Sequence, residues 1–238
     1  MADEHAETVR ILWGPHPRPA RGPKPALDLG RIARAGIEIA DAESLPAVSM
    51  QRVAARLDVT KMALYRYVPG KAELIALMVD TAVGPPPAGE GRGGGWRERL
   101  EEWARALLAV FGRHPWVLEA TVGPRIMGPA ELSWLDRAVS ALDGTGLDGA
   151  ERMDAAVLLA VHVRGISEQS RAAGPAGSPE AQLGALLGEL MRAHGERFPA
   201  LTAALSSAAR SGGQDQAWEF GLRRILDGLA VLIDERAR

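Results

Sequence analysis

The chain has 238 residues, of which 47% are hydrophobic and 24% charged, enough to bury a core and too apolar for global disorder. It contains no cysteine, which excludes a disulfide scaffold, a cysteine-ligated zinc site and a thiol nucleophile. The net charge of −2 hides an asymmetry: from Arg10 to Lys71 eleven Lys or Arg face five Asp or Glu, a local +6, while the rest is acidic, as in a polyanion-binding module joined to a second body.

The longest apolar run, Ala155 to Val161, is seven residues, against the roughly 20 a bilayer span needs. No charged-then-apolar signal segment opens the chain, so a cytoplasmic protein without membrane contact is expected. Residues 13–25, WGPHPRPARGPKP, carry five prolines, three basic residues and no acid. Such a stretch cannot form a helix interior, and 1–27 is expected to be a flexible, extended basic arm. Its Arg18, Arg21 and Lys24 are candidates to enter a DNA minor groove, where narrow A·T-rich stretches attract arginine.

Behind Asp28, a plausible N-cap, Leu29, Ile32, Ala33, Gly36, Ile37 and Ala40 recur at helical spacing. Ser49 then opens MQRVAARL and Thr60 opens KMALYRY, two short helices joined by only Asp58 and Val59. This is helix-turn-helix spacing. Ala54 is small where the helices must cross, and Asp58 stands where a left-handed residue is wanted, a conformation Asp tolerates. The second helix offers Lys61, Met62, Tyr65 and Tyr67 at its start and outer face, leaving Leu64 and Val68 for the core. Pro69-Gly70 breaks the chain before KAELIALMVDTAV. Lys61 and Lys71 both sit in a first helical turn, where the macrodipole disfavours a cation and a bound phosphate would remove the conflict.

Gly84 to Gly95 holds nine Gly or Pro in twelve positions, the sharpest composition break and an expected linker between 28–83 and 96–238. Helical patterns resume at WRERLEEWARALLAVFGRH, then over 130–142, 149–173, 180–194 and 216–237. Strand-type alternation is essentially absent, so the fold is expected to be all-α: a three-helix DNA-binding module with a connecting helix, then a larger helical body.

From about Leu29 to Val83, and above all in VTKMALYRYVPGKAEL, the chain resembles the N-terminal domain of TetR-family (tetracycline-repressor-like) transcriptional regulators. Beyond Trp96, RHPW, GPAELSWLDRAVSAL and AVHVRGISEQ are more loosely similar to the ligand-binding and dimerising half. The resemblance implies a recognition helix starting at Thr60, with Lys61, Met62, Tyr65 and Tyr67 facing bases or backbone. It also implies operator contacts from Ser49 and Gln51 and a phosphate contact from Lys71. Asp58 departs from the family's usual turn glycine. Thr121 to Pro129 lacks the metal-linked histidine of the tetracycline repressors, so a magnesium–tetracycline inducer is not expected.

The resemblance further implies an effector pocket in the body for a mainly apolar small molecule. Trp103, Leu107 and Phe111 share one helix face as its candidate wall. His114, Trp116, Arg125, Met127, Trp134 and His162 are the candidate handles. It also implies a homodimer built from the two long late helices, with Val157, Val161, Trp218, Leu222, Ile225, Leu226 and Leu229 at the interface. No HExxH, GxSxG or phosphate loop is present and the five histidines are scattered, so neither catalysis nor a cofactor or metal is expected. A ligand-independent architectural DNA binder, and more remotely a helical enzyme, are the competing readings.

Overall fold

The computed structural model describes residues 5–14, 27–87, 94–173, 179–211 and 217–238. Among them every regular element is helical, as expected. The chain divides into two compact units, the first ending at Leu142 and the second running from Asp143 to Arg238.

The first unit begins with α1 (Ala6–Trp13), which packs on α5 (Lys71–Val83). This corrects the expected arm. Ile11 and Leu12 are buried, and two adjacent large aliphatics are enough to dock an eight-residue helix that would not hold alone. The remainder of the arm, Arg18, Arg21 and Lys24 included, lies outside the described residues.

Next, α2 (Leu29–Ala42) starts where the Asp28 carboxylate accepts the Arg31 N–H at 2.7 Å, and it buries Ile32, Ala33, Gly36, Ile37 and Ala40. Gly36 is there for space: a Cβ at that position would lie 2.5 Å from Met78 Sδ of α5, so these two helices cross in close contact. Ser49 and Thr60 cap α3 (Met50–Arg56) and α4 (Lys61–Tyr65) through their hydroxyls, which accept the Arg52 and Ala63 N–H groups at 3.2 and 3.1 Å. Between these helices Asp58 adopts φ +54, the left-handed conformation its side chain tolerates better than most.

Then α6 (Trp96–Arg113), α7 (Trp116–Ala120) and α8 (Pro129–Ser140) complete the unit. The Trp103 and Trp134 rings meet edge-on at 6.0 Å. Trp103 Nε1 donates to the Trp134 carbonyl and Trp134 Nε1 to the Gly84 carbonyl, each at 2.8 Å. Arg99 donates to the Gly94 and Ala141 carbonyls, tying the start of α6 to the end of α8. In this unit α5 also packs on α7 and α8; residues 88–93 of the expected linker 84–95 lie outside the described residues.

The second unit comprises α9 (Gly149–Ala173), α10 (Pro179–His194), α11 (Pro199–Ser211) and α12 (Ala217–Arg236). Neither α11 nor α7 was expected from the sequence. Leu222, Leu226 and Leu229 of α12 are buried on the side that packs on α9, together with Leu159 and Val163. His162 stacks on Trp218 with ring centroids 5.5 Å apart, and its Nε2 lies 3.2 Å from the Trp218 carbonyl. No helix among the described residues is long and apolar enough to cross a membrane.

Candidate nucleic-acid interface

The interface is built outward from one anchor. Leu64 of α4 is fully buried, as is Val68 just beyond it. Successive residues of an α-helix are 100° apart, so Met62 points almost opposite to Leu64 and is 74% exposed. Lys61 and Tyr65 are exposed beside it, with Lys61 Nζ 5.6 Å from the centre of the Tyr65 ring, a cation–π contact between residues one turn apart. Tyr67 is half-buried. On α3, Gln51 is exposed and Ser49 half-buried, its hydroxyl already engaged as the cap.

Lys71 is exposed in the first turn of α5, whose N-cap is Gly70 without a side-chain cap. The exposed groups of α4 and of the first turn of α5 thus include two lysines, a phenol and one thioether. Arg52–Glu43 and Arg56–Glu38 ion pairs join α3 to α2 and its C-terminal end. The Arg52 guanidinium donates to Glu43 and holds its carboxyl below the usual range.

The module is fastened to α6–α8 by three polar ties. At the end of α2, the Asp41 carboxylate accepts from His114 Nδ1 at 2.9 Å and Trp116 Nε1 at 2.7 Å; facing a carboxylate, Nδ1 is the nitrogen that carries the proton. At the end of α1, Trp13 Nε1 donates to the Met127 carbonyl at 3.0 Å. On α5, Asp80 accepts the Ala130 and Glu131 N–H groups at 2.8 and 3.2 Å. Asp80 thus caps α8 from another helix. A Cβ on Gly128, the N-cap position, would sit 2.1 Å from Asp80 Oδ1, so the glycine leaves the space that the foreign carboxylate fills. Beside it Arg125 forks onto Glu131. Burial is the main reason the Asp80 carboxyl is raised above its ordinary value, and its two backbone donors oppose that shift.

These ties and other internal hydrogen bonds engage several of the candidate pocket residues. Trp103, Leu107, Trp116 and Trp134 are buried, and all three indole N–H groups are used internally. His114 and Arg125 hold carboxylates, and the Met127 carbonyl receives Trp13. Phe111 is half-buried, and His162 belongs to the second unit. Within the first unit, the polar groups of His114, Trp116, Arg125 and Trp134 are thus engaged by the protein itself. At the expected dimer face, Val157 and Val161 are exposed at 49% and 61%, joined by Met153 and Leu158. Trp218 and Ile225 are half-buried, whereas Leu222, Leu226 and Leu229 serve the chain's own core. On α12 the exposed large apolar residues are Phe220 and Val231. Sequence reasoning missed Asp41, Asp80, Gly128 and Trp13. For Asp80 a signal existed: it is a lone acid late in an apolar helix, while Gly128-Pro129 opens a helix whose N-cap position carries no side chain and whose Glu131 caps only the Gly128 N–H.

Two family models match. Residues 32–78 fit the bacterial regulatory proteins of the tetR family, and 87–233 fit the tetracyclin repressor-like C-terminal domain. The chain belongs to the TetR family of transcriptional regulators. Among its relatives, the HTH-type transcriptional repressor DrrR1 of Streptomyces coeruleorubidus is 40% identical over 240 residues, covering 97% of this chain and 87% of the relative. Apo ActR of Streptomyces coelicolor is 25% identical with a TM-score of 0.74, covering 90% of this chain and 99% of that one. ActR in complex with actinorhodin is 27% identical with a TM-score of 0.71, covering 87% and 98%. The match over residues 32–78 spans α3 and α4.

Proposed function

We propose that the protein is a homodimeric repressor that sits on a palindromic operator in the cytoplasm and leaves it when a mainly apolar small molecule binds residues 96–238. The observation that carries this reading is the α4 face: Lys61, Met62 and Tyr65 stand exposed opposite the buried Leu64, on a helix capped by Thr60. In this reading Thr60, Lys61, Met62, Tyr65 and Tyr67 enter the major groove, Ser49 and Gln51 support them from α3, and Lys71 holds a phosphate. Arg18, Arg21 and Lys24 extend the contact along the duplex. The homodimer forms through the exposed apolar side of α9, Met153, Val157, Leu158 and Val161, with Phe220 and Val231 of α12. The repressor assignment draws on the DrrR1 relative, and the effector class on ActR, solved with actinorhodin and with (S)-DNPA.

The test selects an operator from randomised duplexes with the full-length protein, then titrates apolar aromatic compounds against the complex. The expected result is a dimer on a two-fold-symmetric site, released by at least one compound. Operator binding must in turn weaken that compound's affinity by the same factor, typically about 5–150-fold. A monomer without sequence preference overturns the reading. A dimer that binds specifically and that no bound compound releases is instead an architectural binder.

A further inference from the structure

Among the described residues, Met62 is more exposed than any other large hydrophobic side chain. It sits on a five-residue helix whose opposite side is anchored by the fully buried Leu64. Nothing in the chain's own packing explains an apolar side chain there, because the core contacts of α4 are made by residues on its far side. The exposed residues beside it in sequence, Lys61, Tyr65 and Arg66, are two cations and a phenol, which suits a polyanion better than an apolar protein partner.

Resting on the DNA-binding reading above, we infer that Met62 is a specificity-determining residue whose thioether side chain reads the 5-methyl group of a thymine in each operator half-site. The chemistry leaves one counterpart. In the major groove, guanine, cytosine and adenine present hydrogen-bond donors and acceptors, and thymine alone adds an apolar group at its C5-methyl. Methionine has no donor and only a weak sulfur acceptor, so it gains nothing from the polar base edges. Its unbranched, adaptable chain can cover a methyl group at the groove floor. Lys61 and Tyr65 flank it and supply the polar and phosphate contacts that a thioether cannot make.

The test replaces each thymine of the selected operator, in turn, by deoxyuridine, which removes the methyl and keeps the base-pairing edge. Burying one methyl gives about a fourfold change in affinity. One thymine per half-site is therefore expected to show roughly fourfold weaker binding when replaced, and roughly fifteenfold when replaced in both. Met62→Ala is expected to bind thymine and deoxyuridine operators equally at that position, and Met62→Leu to keep most of the discrimination. Thermal melts check that these surface variants fold as the parent does. If the parent binds the operator selectively but no thymine position responds to deoxyuridine, the methyl reading fails while the DNA-binding reading stands. The methyl reading fails equally if Met62→Ala retains the full response. Absence of any sequence-selective binding overturns both.

Discussion

The cap that α5 lends to α8 makes a reciprocal exchange possible. Asp80 accepts two N–H groups at the start of α8, and removing a capping acceptor costs about 0.5–2 kcal/mol. Replacement by alanine also relieves a carboxylate that burial disfavours, so Asp80→Ala is expected to destabilise by about 1–2 kcal/mol. Gly128→Asp is worse. Its Cβ would lie 2.1 Å from Asp80 Oδ1 and 2.7 Å from Asp80 Cβ, so overpacking of about 1–3 kcal/mol adds to repulsion between two carboxylates. The backbone itself is not the obstacle, since Gly128 has φ −83 and ψ 172, an ordinary N-cap conformation that any residue adopts. In Asp80→Gly the space is vacated, at about 1 kcal/mol for a helical glycine. In the double variant Asp80→Gly/Gly128→Asp the carboxylate caps α8 from its own N-cap. Urea titrations of the four proteins should therefore give a favourable coupling of about 2 kcal/mol or more. If Gly128→Asp costs the same with Asp80 present or replaced by glycine, the foreign-cap account is wrong.

Asp80 also has a pH signature. Its folded-state pKa is raised from 3.8, chiefly by burial, so the folded chain binds that proton more tightly than the unfolded one. Its contribution to stability then falls as pH rises from about 3.8 through the raised value, and Asp80→Asn should remove that slope from a pH series of urea midpoints. Asp41→Ala leaves the His114 and Trp116 donors without their acceptor and is expected to cost about 1–3 kcal/mol, with a drop in thermal midpoint in calorimetry. Lys71→Ala should weaken operator and non-operator DNA alike and lower the salt slope by about 0.9 per half-site, whereas Tyr65→Ala should weaken the operator selectively; gel shifts at several salt concentrations separate the two. Truncation of 1–25 would remove Ile11 and Leu12 from the core, so the arm is better tested by a joint Arg18, Arg21 and Lys24 replacement with alanine, expected to flatten the salt slope without changing the melt.

The parts that were legible are those whose determinants lie close in sequence. Ser49 and Thr60 each cap a helix through an N–H three residues further on, and Asp58 takes the one left-handed step between them, so the helix-turn-helix could be read directly. The capping of α8 could not, because its acceptor lies 50 residues away in α5 and only the missing side chain at Gly128 hints at it. Similarly, the apolar stripe on α12 revealed that Leu222, Leu226 and Leu229 would be buried but not against what. A hydrophobic stripe specifies burial and leaves the partner open; here α9 of the same chain fills that role. In α1 only Ile11 and Leu12 of the eight residues are buried, and the proline-rich run after it masked the helix.

The three ties join the helices that carry the helix-turn-helix to one short stretch. Asp41 ends α2 and Asp80 lies in α5, the two helices held together at Gly36 and Met78. The groups they bind, His114, Trp116, Ala130 and Glu131, and the Met127 carbonyl that holds Trp13 all fall between positions 114 and 131. In that stretch a five-residue helix, the half-exposed Arg125 to Met127 and the left-handed Gly123 offer few regular backbone hydrogen bonds, so rearranging it breaks little secondary structure. An effector that favoured a different arrangement of 114–131 would need no contact with α4: it would change where Asp41 and Asp80 find their donors, and with them the support of α2 and α5. The size of that effect is bounded by the effector's difference in affinity for the two arrangements. A variant that weakens one tie therefore lowers the threshold for release and leaves the contacts of the recognition face unchanged.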